Sequence, residues 1–201
     1  MKKLFLIFIL SVVCSCGGAK YSYTFDTGKQ LDFSEGKWIL NSTKSNSTVF
    51  DTELYQASLK GFKKILGDSL LEMDDLRSSK LVAPKISFNL SNSDLKQLRN
   101  DTDCDFIINV GGNVISDGAG TLSFPDQDNF SSNRAAVSIA IYDLNVGTLI
   151  SSSQVYGKTS TQAASFNEDD KLPTINPSSH MIMLAGGKKL IRKYEKNRLD
   201  K

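Results

Sequence analysis

The chain has one histidine, His180, among 201 residues. A lone imidazole builds neither a zinc site nor a Ser-His-Asp relay without companions, and nothing in the sequence places any beside it. Cysteine is almost as scarce. Of three, Cys14 and Cys16 lie in the first sixteen residues, so only Cys104 would remain free in a processed chain, with no internal disulfide. A single cysteine at the head of an apolar strand reads as a small buried residue. There is no excess of one charge: without Lys2 and Lys3 the chain carries 22 basic and 22 acidic residues, which argues against a nucleic-acid partner. Phosphate and calcium motifs are missing too. Gly111-Gly112 and Gly118-Ala119-Gly120 do not lead into a helix, and Asp126-Gln127-Asp128-Asn129 is followed by Phe130 where an EF-hand needs an oxygen ligand. The carboxylates Glu72, Asp74 and Asp75, and Glu168, Asp169 and Asp170, are sequence neighbours expected to face water. A glycosidase pair drawn from distant positions stays open, but no catalytic residue, cofactor or metal ligand is assigned and no enzyme activity is expected.

What is present begins at the amino terminus. Met1-Lys2-Lys3 and the apolar stretch Leu4 to Leu10, too short to span a bilayer comfortably, read as a signal peptide over residues 1–15. Val13-Cys14-Ser15-Cys16 then resembles the lipobox of bacterial lipoproteins, with an aliphatic residue at −3 and a small one at −1. Cys14, preceded by Ser11 and Val13 at those places, fits less well. The resemblance implies cleavage before Cys16 and lipidation there. Two or three acyl chains, at about 0.8 kcal/mol per buried CH₂, would make a firm anchor. Gly17, where enteric inner-membrane lipoproteins carry Asp, implies the outer membrane, with the domain facing the periplasm.

Residues 16–35 read as the lipidated tether. Within it Tyr21, Tyr23 and Phe25 alternate with small polar residues and are expected to fold back, through Asp26 to Lys29, onto Gln30–Phe33; the other reading puts these aromatics at the bilayer interface. The domain, 36–198, opens with a strand at Lys37–Asn41. A helix follows, with a capping box at Thr48 and Asp51 and an apolar stripe of Leu54, Ala57, Gly61 and Ile65, then Gly67 as C-cap and a strand at Ser69–Met73. Strand, helix and strand make a βαβ crossover. A charged loop at 74–80 and an edge segment broken by Pro84 precede a short helix capped by Ser91 to Asp94, bearing Leu95 and Leu98. Three strands form the centre: Phe106–Val110, Ala136–Tyr142 and Thr148–Tyr156, the last two joined by a hairpin turn from Asp143 to Gly147. Polar loops fill 114–133 and 160–177. The final helix, Ser179–Asn197, carries Leu184, Gly187, Ile191 and Tyr194 on one stripe, and its paired glycines predict a close approach to the sheet. Lys188, Lys189, Arg192, Lys193, Lys196 and Arg198 read as a mostly solvated face, with acidic lipid or partner binding as the sharper alternative.

From Lys37 to Lys196 the order of elements, and above all the Asp-Phe-Ile-Ile strand at 105–108 with the Tyr-Asp-x-x-x-Gly hairpin at 142–147, resembles the TolB amino-terminal domain and its relatives CsgG and LpoB. The resemblance implies a single α/β domain, a mixed sheet with a central hairpin and helices packed on it. It also implies that the chain works by binding an envelope protein while the lipid holds it to the membrane. The alternative functions are a subunit of an oligomeric secretion channel and a cell-wall hydrolase.

Overall fold

The structure, a computed structural model, describes residues 18–80, 82–83, 85–117, 122–123, 132–159, 174–175 and 177–200. The signal peptide, Cys16, Gly118–Gly120, Asp126–Asn129 and Glu168–Asp170 lie outside them. In chain order the elements are β1 (Lys20–Thr27), β2 (Trp38–Leu40), β3 (Lys44–Ser45), α1 (Asp51–Leu66, entered through a 3-10 turn at Thr48–Phe50), β4 (Leu70–Glu72), α2 (Met73–Ser79), α3 (Asn92–Thr102), β5 (Phe106–Ser116), β6 (Leu122–Ser123), β7 (Arg134–Asp143), β8 (Thr148–Lys158), β9 (Thr174–Ile175) and α4 (Ser179–Asn197). They form one α/β domain.

Its seven-stranded sheet runs β1-β8-β7-β5-β2-β4, with β3 also on β5. β2 is parallel to β4 and β5, so β2-α1-β4 is the predicted crossover; β5, β7, β8 and β1 pair antiparallel. The hairpin forms as its sequence predicts. Asp143 Oδ1 accepts the N–H groups of Asn145 (2.8 Å) and Val146 (3.0 Å), and Gly147 closes the turn at φ 73°, a conformation glycine adopts freely.

Period-2 alternation divides the core in two. Trp38, Leu40, Ile108, Val110, Val137, Ile139 and Ile141 face α1 and α4, which contribute Leu54, Phe62, Ile182, Leu190, Ile191 and Tyr194. Ile39, Ile107, Ala140 and Tyr142 face the other way, onto Met73 and Leu76 of α2, Leu95 and Leu98 of α3, and Ile86. Gly187 permits the first layer to close: a Cβ there would lie 3.1 Å from Leu54 Cδ1.

Four expectations change. β1, expected in the tether and folded onto Gln30–Phe33, joins the main sheet along β8, in register from Lys20 against Lys158. Tyr21, Tyr23 and Phe25 pack against the core under α4, so they are not a bilayer belt, and Gln30–Phe33 instead delivers Phe33 to Trp38 at 5.1 Å. α1 has no capping box; its N-cap is Phe50, without a side-chain bond, because the 3-10 turn takes up Thr48. A capping box exists instead at α3, between Ser91 and Asp94, where the sequence predicts a cap. The charged loop at 74–80 is α2, whose Met73 and Leu76 are buried and whose first-turn Asp74 and Asp75 suit the helix dipole. Finally, β6 pairs with β9, so the two long loops meet in a small second sheet.

Candidate functional site

Charge is segregated between the helical layers. α1 and α4 together carry eight basic and three acidic residues, whereas α2 and α3 carry three basic and four acidic. Along the outer seam of α1 and α4 runs a groove of about 320 Å³ with Ala57, Gly61 and Ile191 as its floor. Gly61 sets the depth, since a Cβ there would come within 2.8 Å of Ile191 Cγ2. The rim is Lys60, Lys64, Lys188 and Arg192. Glu195 also lines it and holds Lys64 at 2.7 Å. The groove thus sets an apolar floor between cations.

The basic surface continues onto β1. Lys189 Nζ sits 4.2 Å from the centre of the Tyr21 ring and Lys193 Nζ 4.9 Å from that of Tyr23. Burial lifts both phenols above the ordinary tyrosine range, for Tyr21 with help from its neighbour Tyr23. The lysines therefore meet neutral rings, a cation–π arrangement that holds their ammonium groups in place. The residues read from sequence as a solvated basic face are thus in part ordered against aromatics.

Two other places hold functional groups. A cleft at the carboxyl ends of β2 and β4 is lined by Ser42, Thr43, Asp51, Tyr55 and Asp74, and beside it the Tyr55 hydroxyl donates to Glu72 Oε2 at 2.7 Å. Glu72, expected to face water, is therefore engaged. Burial first, and the bond to Glu72 second, keep this phenol protonated far into the alkaline range, where it donates and does not act as a base.

Nearer the start of α4, His180 has the companions its sequence did not reveal. Nε2 lies 3.0 Å from Ser47 Oγ, Nδ1 lies 3.9 Å from Asp117 Oδ2, and the ring stacks on Phe50 with centroids 3.9 Å apart. The expectation of an isolated histidine is corrected, because residues 47, 117 and 180 meet only through the tertiary fold. The contact to Asp117 exceeds hydrogen-bond length, and that carboxylate's other oxygen accepts from the Ser179 hydroxyl at 2.9 Å. The cluster pins the start of α4 to the start of α1.

Cys104 is buried, with its thiol pushed up chiefly by that burial, as a small core residue should be. Gly111 and Gly112 lie in β5, against Phe88 and Met183. Among the described residues no helix is long and apolar enough to cross a membrane. Nor could any group of three or more His, Cys, Asp or Glu among them hold a metal ion.

No protein-family model and no curated protein matches the chain. Solved structures do. The PelC dodecamer from Paraburkholderia phytofirmans aligns at TM-score 0.48 and 9% identity, over 88% of this chain and 97% of that one. Lipoprotein GNA1162 from Neisseria meningitidis aligns at 0.40 and 14%, over 66% and 88%. The hypothetical protein CT253 from Chlamydia trachomatis aligns at 0.37 and 13%, over 81% and 95%. At these TM-scores the likenesses carry no weight for function, and none of the three is named for TolB, CsgG or LpoB.

Proposed function

We propose that the protein is a binding module of the bacterial cell envelope, anchored in the outer membrane by acylation of Cys16 and facing the periplasm. Its groove between α1 and α4 receives an acidic, amphipathic segment of an envelope protein. The lipobox supports the anchor, and the groove carries the binding reading: Lys60, Lys188 and Arg192 surround the apolar floor, and no described carboxylate pairs with these three. Such a rim steers an acidic partner and fixes its register, while the floor supplies the desolvated contact.

The experiment places a photo-crosslinking residue at Lys60 of the lipidated protein in solubilised envelope, with and without Arg192→Glu and Lys188→Glu. One crosslinked species, lost with the charge reversals and carrying an acidic segment at the crosslink, is expected. Crosslinks indifferent to the reversals would remove the groove from the reading. Mass spectrometry of the mature amino terminus tests the anchor separately, and an unacylated Cys16 would refute it.

A further inference from the structure

At the end of the sheet where β1 begins, three cations stand side by side on adjacent strands. Lys20 is in register with Lys158, and Lys158 with Arg134. Like charges directly opposite one another on paired strands are destabilising, and no described carboxylate is paired with any of the three; Arg134 uses its Nε to donate to Ser116 Oγ at 3.1 Å. All three are exposed, so the row is open to anions from outside the chain.

The same end displays apolar side chains. Val49 is 79% exposed, Met181 62% and Ile115 46%. They lie together because Met181 adjoins His180, which stacks on Phe50 beside Val49, and Asn46 bonds both backbone groups of Val114 next to Ile115. Both α1 and α4 begin here, turning the positive ends of their dipoles the same way.

The chain itself says what lies beyond. Only Gly17, Gly18 and Ala19 separate Cys16 from Lys20, the first residue of β1. Four extended residues reach at most about 14 Å, so a lipid on Cys16 holds this end of the sheet within a headgroup layer's thickness of the bilayer. We infer that this end rests on the membrane, with Lys20, Lys158 and Arg134 binding the phosphates of anionic phospholipids and Val49, Ile115 and Met181 entering the headgroup–acyl boundary. The inference rests on the acylation proposed above. It leaves the groove of α1 and α4 on the flank, open to a partner.

The test uses the lipidated protein on vesicles of phosphatidylcholine alone or with phosphatidylglycerol, some of the lipid bearing a headgroup quencher. A fluorophore is attached through Ile115→Cys or, at the hairpin end, through Leu149→Cys; Cys104 is buried and stays unlabelled. The expected result is flotation with both vesicles, strong quenching at 115 and little at 149. Phosphatidylglycerol should deepen the quenching at 115, and high salt or the triple change Lys20→Gln, Arg134→Gln, Lys158→Gln should remove that increment without lowering the melting temperature. Equal quenching at 115 and 149, or an increment that survives the triple change, overturns this inference alone. Failure to float with neutral vesicles overturns the anchor and this inference with it.

Discussion

The hydroxyl of Tyr194 on α4 lies 2.8 Å from Ser151 Oγ on β8, with both groups buried. Ser151 donates its own proton to the Gly28 carbonyl at 2.9 Å, so the tyrosine is the donor in this pair, and Ser153 Oγ, 2.7 Å away, completes its oxygen. One phenol thereby ties the last helix to the sheet and, through Ser151, to the end of β1. Tyr194→Phe keeps the ring, leaves the buried Ser153 hydroxyl without its acceptor and takes a donor from Ser151, an expected loss of about 1–3 kcal/mol. Denaturant melts measure it, and an unchanged midpoint would show that water replaces the phenol.

α4 belongs to the core through Ile191, 3% exposed, whereas Leu184, assigned to the same stripe from its spacing, is only half-buried. Ile191→Ala should cost about 2–5 kcal/mol and Leu184→Ala distinctly less. Lys189→Gln, which gives up the contact with Tyr21, should cost about 0.5–1 kcal/mol. The order of the three midpoints is the check.

Asp105 joins three segments. It accepts the Lys37 N–H at 2.8 Å and the Asn145 amide at 3.1 Å, and lies 3.5 Å from Arg99. The Lys37 bond above all, then the Asn145 bond and the Arg99 cation, hold it below the ordinary carboxylate range against a raising effect of burial. A folded-state pKa below the unfolded value means that the stabilisation is present above about pH 4 and is lost as pH falls through the folded pKa. Asp105→Asn should lower stability at neutral pH and flatten the acid limb of a stability–pH curve, leaving its alkaline side alone. Melts in urea across the acid range decide this, and an acid limb of unaltered slope would rule it out.

Legibility in the sequence follows the range of the interactions. The hairpin and α4 were readable because Asp143, Gly147 and the apolar periodicity act within a few residues. α2 was hidden, as only Met73 and Leu76 mark it among charges. The alternation of Tyr21, Tyr23 and Phe25 disclosed a strand and not its partner: pairing with β8 is decided by which edge the hairpin leaves open. The α1–α4 groove and the His180 cluster were unreadable for the same reason, each needing side chains from segments that no local pattern relates.

The pairing of Lys20 with Lys158 also orders events in time. The first strand among the described residues docks on one of the last, so its contact closes a loop from residue 20 to residue 158, among the slowest and entropically costliest steps a domain of this size takes. β1 must wait, unpaired, until the hairpin is complete. Folding of this sheet therefore cannot be completed from its amino-terminal strand, and the edge of β8 stays open until β1 closes it.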